Sequence, residues 1–175
     1  MKLKRDCLTT GKFVQFSRGS GFEREHSLYS DIGNIQYNFG QKVDSVSSPE
    51  SLRGFSDWCF ATFGWRPNVH SGAKYPEGGG CPLHNDRDKR VAYHVHTRLV
   101  SLSLGGTTEF FIQTRNGVKR IILGEGTVVL FDGRLNHWAG PPTFDMDRPL
   151  DQDRIRLYLT SREFYDQILG QDRSR

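Results

Sequence analysis

From His94 onward, apolar and polar residues alternate with a period of two and turn signals recur at short intervals, a pattern that leaves few folds open. His94 to Leu104 sets Val100, Leu102 and Leu104 on one face and Leu99, Ser101 and Ser103 on the other, as a half-buried strand requires. Thr107 to Thr114 and Val118 to Leu123 flank Arg115-Asn116-Gly117, where Asn-Gly is expected to supply the positive φ angles of a tight hairpin turn. Gly124-Glu125-Gly126 then turns the chain into Thr127 to Phe131. Arg154 to Thr160 reads as the last strand, with a short helix expected over 162–170. Upstream lies one clear helix. Ser48 is placed to cap it, Pro49 to fill its first position and Gly64 to stop it, while Leu52, Phe55, Cys59 and Phe63 fall on one face and belong to a core. Several short antiparallel strands with a helix packed early predict a mainly β chain with a flanking helix. The expected architecture is a double-stranded β-helix, or jelly-roll, of the kind that encloses a ligand between its sheets.

A chain of 175 residues is of single-domain size and can bury a real core. The first twenty residues hold no apolar run of the signal-peptide kind, and nowhere do about eighteen apolar residues stand together. The expectation is a soluble, intracellular, monomeric protein of cytoplasm or nucleus, with no membrane partner. Three cysteines, Cys7, Cys59 and Cys81, form no C-x-x-C pair, which suits a reducing compartment and argues against a closed, thiolate-rich zinc site.

The residues that carry chemistry are His84-Asn85-Asp86 and His137. The tripeptide follows the Gly-rich turn Tyr75-Pro76-Glu77-Gly78-Gly79-Gly80, and His137 follows a strand and turn, so both stand at strand ends, where side chains are held rigidly. His-x-Asp alone is also what a solvated loop would show. With a second histidine, two imidazoles and one carboxylate fill three facial positions of a six-coordinate Fe(II), leaving three for a chelating co-substrate and dioxygen. Arg87, Lys89 and Arg90 follow directly, as either a cationic rim that attracts phosphate or an ordinary solvated loop; the net charge of +4 does not decide. His94-x-His96 lacks the acid four or five residues on that a second metal site would need, Val100 and Ser101 standing there, and reads as surface strand histidines.

Taken in order, these segments resemble the AlkB family of Fe(II)/2-oxoglutarate-dependent dioxygenases over roughly Tyr29 to Arg162. The resemblance rests on Tyr75-Pro76 leading to His84-Asn85-Asp86-Arg87-Asp88, on Arg98 to Gly105 followed by Thr107 to Phe111, on Leu123 to Phe131 with His137, and on Arg156-Leu157-Tyr158-Leu159-Thr160-Ser161-Arg162. Leu28-Tyr29 and Tyr37 to Gly40 are similar to segments that grip a substrate nucleotide.

The resemblance implies one domain over 1–175, with nucleotide-recognition lid segments around 22–45 and a jelly-roll core around 67–162. It implies that His84, Asp86 and His137 bind iron, that Arg156 pairs with the distal carboxylate of 2-oxoglutarate while Tyr75 hydrogen-bonds it, and that Arg162 lies near the chelating end or the metal-bound acid. Arg154 competes with Arg156, but only the latter register also aligns Leu159, Thr160 and Arg162. Tyr29, Tyr37 and Arg87 become candidate substrate contacts, the tyrosines having partly buried strand positions as their alternative. The implied reaction is oxidative demethylation of N-methylated bases in single-stranded DNA or RNA, consuming dioxygen and releasing formaldehyde, succinate and carbon dioxide. Rival readings are hydroxylation of a C5-methylpyrimidine or a protein side chain, and an inactive binding module. Two departures fall near the co-substrate: Ala73 and Tyr158 stand where the family usually has Asn.

Overall fold

The computed structural model describes residues 2–16, 24–38, 42–86, 98–144 and 155–163. In chain order the elements are α1 (Lys2–Thr10), β1 (Val14–Phe16), β2 (Arg24–Ser30), β3 (Gln36–Asn38), β4 (Lys42–Ser47), α2 (Glu50–Phe63), β5 (Val69–Tyr75) and β6 (Cys81–His84). They continue with β7 (Arg98–Leu104), β8 (Thr108–Thr114), β9 (Gly117–Leu123), β10 (Val128–Asp132), β11 (His137–Ala139) and β12 (Arg156–Arg162).

The strands form two sheets. The major sheet runs β10-β7-β12-β5-β2-β4-β3, with β1 also paired to β2; the minor sheet runs β6-β11-β8-β9. This is the expected jelly-roll, a mainly β architecture with helices on its flank. Leu99, Phe110, Ile112, Leu123 and Phe131 pack together from strands of both sheets. On the other face of the major sheet, Val100, Leu102, Leu104, Leu157 and Leu159 meet Cys7, Leu52, Phe55 and Cys59 of the two helices.

That second layer corrects one expectation. β7 alternates as predicted, but it is buried on both faces from Leu99 to Leu104, because helices cover one side and the minor sheet the other. Ser101 and Ser103 are therefore buried too, as polar groups lining an interior rather than a wet face.

α2 begins at Glu50, with Pro49 in the cap position and no side-chain capping bond. Ser48, predicted to cap the helix, is buried and its hydroxyl makes no capping bond. Gly64 ends the helix in the left-handed conformation as expected, at φ 75°, its N–H donating to the Phe60 carbonyl. The β8–β9 hairpin also differs in detail: Gly117 takes φ 108°, whereas Asn116 does not adopt a positive φ, so glycine alone supplies the turn's left-handed residue. The last strand lies two residues later than expected, at Arg156–Arg162, and the helix expected over 162–170 falls almost wholly outside the described residues. α1 had no counterpart in the sequence reading.

In β12, Leu157 and Leu159 face the helices, so Arg156, Tyr158, Thr160 and Arg162 face the opposite way, toward the space between the sheets. β5 lies beside it, Arg156 opposite Tyr75 and Tyr158 opposite Ala73. In the minor sheet, His137 lies directly opposite His84, and the β6–β11 register shifts only after that pair, before Ala139. No helix among the described residues is long and apolar enough to cross a membrane.

Candidate metal centre

Because His84 closes β6 and His137 opens β11 as cross-strand partners, their rings come to 4.3 Å between centroids, tilted by 57°. Each imidazole is turned by a carbonyl that can only accept. His84 Nδ1 lies 2.8 Å from the Pro82 oxygen and His137 Nδ1 lies 2.9 Å from the Leu135 oxygen, so both Nδ1 atoms carry the proton and both Nε2 atoms keep a lone pair. That is the tautomer a metal requires, fixed by the kind of backbone contact that orients ligating histidines.

Asp86 completes the group. Its backbone N–H donates to the Gly133 carbonyl at 2.8 Å, while the Asn85 side chain donates to Asn136 Oδ1 at 2.9 Å. The segment after β6 is thus tied to the segment before β11. Gly133 permits the approach: a Cβ there would stand 2.7 Å from Leu99 Cδ1 and 3.4 Å from the Asp86 Cβ. The Asp86 carboxylate lies 3.8 Å from His84 Nε2 and 3.6 Å from His137 Nε2, and one ligand atom from each residue falls within 4.8 Å of the others. Metal bonds of about 2.1 Å at right angles put donors about 3 Å apart, so small side-chain movements bring these three onto one ion. The donor set fits a hard or borderline divalent metal with open positions, as predicted from the sequence.

Arg162 reaches the same carboxylate, Nη2 to Oδ1 at 3.3 Å, with Nη1 3.5 Å from the Asp86 backbone oxygen. Phe131 and Phe110 approach His137, with ring centroids at 5.0 and 5.7 Å, and leave it 4 % exposed. Burial lowers the pKa of His137, against the pull of Asp86. Burial also pulls His84 down, but Cys81, Asp86 and the Pro82 carbonyl outweigh it and the net shift is upward.

Further into the interior, Arg156 is 1 % exposed. Its Nε donates to Ser103 Oγ at 3.1 Å, and its guanidinium lies 5.0 Å from the Tyr158 ring centroid and 5.7 Å from that of Tyr75. Its Nη2 is buried and has no hydrogen-bond partner. A buried cationic donor left open is costly, and a carboxylate suits it. The two family departures prove to be one local change: Ala73 and Tyr158 are cross-strand partners, the small residue beside the large ring.

Not every expected contact is here. Tyr29 is fully buried on the helix side of the major sheet, packed in the core, and its hydroxyl donates to the Cys7 carbonyl at 2.7 Å. It does not face the metal centre, because β2 is an inner strand of the sheet and presents its odd-numbered residues to the helices. Tyr37 lies in β3, at the end of the major sheet, two strands beyond β2 and three beyond β5; Arg87, His94 and His96, with Arg154, lie outside the described residues. Conversely, Arg24 and Cys81 belong to this interior and were not anticipated: Arg24 Nη1 donates to Cys81 Sγ at 2.7 Å, and the thiol lies 3.5 Å from His84 Nδ1. Their contact spans 57 positions, for which no local pattern exists.

No protein-family model matches the chain, and no curated protein matches it in sequence. Solved structures do. OsALKBH1 superposes with a TM-score of 0.64 at 19% identity, over 93% of this chain and 89% of that one. A predicted oxalate decarboxylase from Thermotoga maritima gives 0.49 at 14% identity, over 90% and 96%. The Drosophila melanogaster CENP-C cupin domain gives 0.45 at 6%, over 87% and 76%. The first likeness makes the fold AlkB-like.

Proposed function

We propose that this chain is an Fe(II)/2-oxoglutarate-dependent dioxygenase of the AlkB kind that demethylates N-methylated bases in DNA or RNA. One observation carries the reading: within an AlkB-like jelly-roll, two imidazoles with free Nε2 atoms and a carboxylate converge, and the same interior holds a buried guanidinium with an open donor. Iron with 2-oxoglutarate and dioxygen supplies oxidation of an unactivated C–H bond, the co-substrate leaving as succinate and carbon dioxide. The residues supply placement. His84 and His137 present their Nε2 atoms, Arg162 holds the Asp86 carboxylate, and Arg156 with Tyr75 would take the far carboxylate of the co-substrate. Phe110 and Phe131 shield His137 from bulk water. Hydroxylating an N-methyl group gives an N–CH2OH product, which releases formaldehyde and restores the N–H base.

Hydroxylation of another substrate, such as a C5-methylpyrimidine or a protein side chain, is the second reading. It gains from Tyr29 lying in the core, which removes one of the expected base-contacting aromatics.

The test is to load protein with Fe(II) and 2-oxoglutarate anaerobically, admit oxygen, and measure succinate and formaldehyde with single-stranded methylated DNA and RNA. Substrate-stimulated succinate matched by formaldehyde supports demethylation. Succinate with a stable hydroxylated product moves the assignment to the second reading, and no turnover on any oligonucleotide removes the nucleic-acid assignment. Loss of turnover in His84→Ala checks that the centre is responsible.

A further inference from the structure

Residues directly opposite on neighbouring strands point to the same side of a sheet, about 4.8 Å apart. Arg156 of β12 is opposite Tyr75 of β5. On the other side of β5, β2 pairs His26 with Ala73 and Glu25 with Lys74, and the next step of that register brings Arg24 beside Tyr75. Arg24, Tyr75 and Arg156 therefore stand in a row across three strands, all facing the space between the sheets.

Each member of the row is fixed. Arg24 is anchored from the opposite sheet by its 2.7 Å bond to Cys81 Sγ, and both Tyr75 and Cys81 act on its charge. Tyr75 is buried, which pushes its pKa up and keeps the phenol a neutral hydrogen-bond donor. Arg156 is tied to Ser103 and keeps its buried Nη2 open. The groups that favour the Arg156 charge are Tyr75, Tyr158 and Cys81, none of them a carboxylate. A phenol flanked by a guanidinium on each side, in a poorly solvated interior, suits a carboxylate, which accepts from all three donors.

We propose that Arg24 is a second cation of the co-substrate pocket, gripping the distal carboxylate of a dicarboxylic 2-oxoacid from the side of Tyr75 opposite Arg156. This rests on the oxygenase reading and deepens it, since two cations select a dicarboxylate over a 2-oxoacid that lacks the distal group.

The experiment is anaerobic calorimetric titration of Mn(II)-loaded protein with 2-oxoglutarate and with pyruvate, which keeps the chelating head but lacks the distal carboxylate. Wild type, Arg24→Gln, Arg24→Lys and Arg156→Gln are compared, with Mn(II) affinity measured for each. Arg24→Gln is expected to weaken 2-oxoglutarate about tenfold or more, as loss of a charge-assisted hydrogen bond requires, while pyruvate and Mn(II) binding stay unchanged. Arg24→Lys, which keeps charge but loses the fork, is expected to fall between and decides the matter if the glutamine variant does not fold. If both Arg24 variants bind 2-oxoglutarate like wild type while Arg156→Gln does not, the role of Arg24 is overturned and the oxygenase reading stands. Equal losses of 2-oxoglutarate, pyruvate and Mn(II) in the Arg24 variants would overturn it too, by making the residue merely structural. Failure of wild type to bind 2-oxoglutarate at all would overturn both.

Discussion

Arg162 does more than its charge suggests, because it holds the one member of the His84–Asp86–His137 group whose side chain no backbone carbonyl orients. Both histidines are oriented by backbone carbonyls, whereas the Asp86 carboxylate has Arg162 as its cationic partner, at 3.3 Å. Residues that orient a metal ligand in this way are worth about 10–100-fold in affinity. Arg162→Gln should therefore weaken Mn(II) binding by about that factor, read by EPR titration; unchanged affinity would show that the carboxylate needs no holder. Tyr29 makes the opposite prediction. Its hydroxyl bonds the Cys7 carbonyl, which also accepts from Gly11, and its ring lies 3.1 Å from where a Gly72 Cβ would be. Tyr29→Phe should cost about 1 kcal/mol of stability in denaturant unfolding and leave oligonucleotide binding unaltered. Weakened binding without a stability loss would return Tyr29 to the substrate site. The convergence of His84, Asp86 and His137 was legible in the sequence because the His-x-Asp spacing and the strand-end positions are local properties. The face on which Tyr29 sits was not, since a tyrosine in a strand reads the same whether its side of the sheet meets helices or a cavity.

α2, β5 and β12 are joined by a buried histidine that the site does not use. His70 is 0 % exposed; its Nδ1 lies 2.8 Å from Ser161 Oγ, its Nε2 lies 3.2 Å from Ser56 Oγ, and Asp31 stands 3.8 Å away. Burial depresses its pKa despite Asp31, and burial with the Arg24 charge pushes His26 down to about 3. In the unfolded chain both histidines take up protons near pH 6.5, so there the unfolded state binds more protons than the folded one. Stability is thus fully present above that value and declines as pH falls below it, by up to about 1.4 kcal/mol per pH unit for each histidine that stays neutral. Thermal unfolding of metal-free protein from about pH 7.5 to 5 should show a falling Tm, with a flatter profile for His70→Gln; parallel profiles for the two proteins would refute the assignment. Alternation and turn signals placed β8, β9 and β10 to within a residue at each end; the strand expected over His94 to Leu104 is β7 from Arg98 onward, its first four positions lying outside the described residues, and helix-stop chemistry found the end of α2. α1 escaped because its sequence is mostly polar, with only Cys7 and Lys4 buried, and it depends on the layer beneath it.

For the molecule as a whole, the centre should act as a clip between distant parts of the chain. A metal that binds only the folded state adds about 2.7 kcal/mol at a hundredfold excess over Kd, which for a chain of this size raises Tm by about 5–10 °C. Adding Mn(II) should produce that rise in wild type and none in His137→Ala, followed by scanning calorimetry. The jelly-roll itself was readable from strand rhythm, but strand order was not, because alternation says which face is buried and nothing about which neighbour is beside it. The order matters for assembly. β12, the last in sequence of the twelve strands among the described residues, lies between β7 and β5, so until it docks the major sheet is two separate halves, β10-β7 on one side and β5-β2-β4-β3 on the other. It also carries Arg156 and Arg162. The strand that closes the gap delivers both guanidiniums, so the step that makes the sheet whole is also the one that sets Arg156 beside Tyr75 and brings Arg162 to the Asp86 carboxylate.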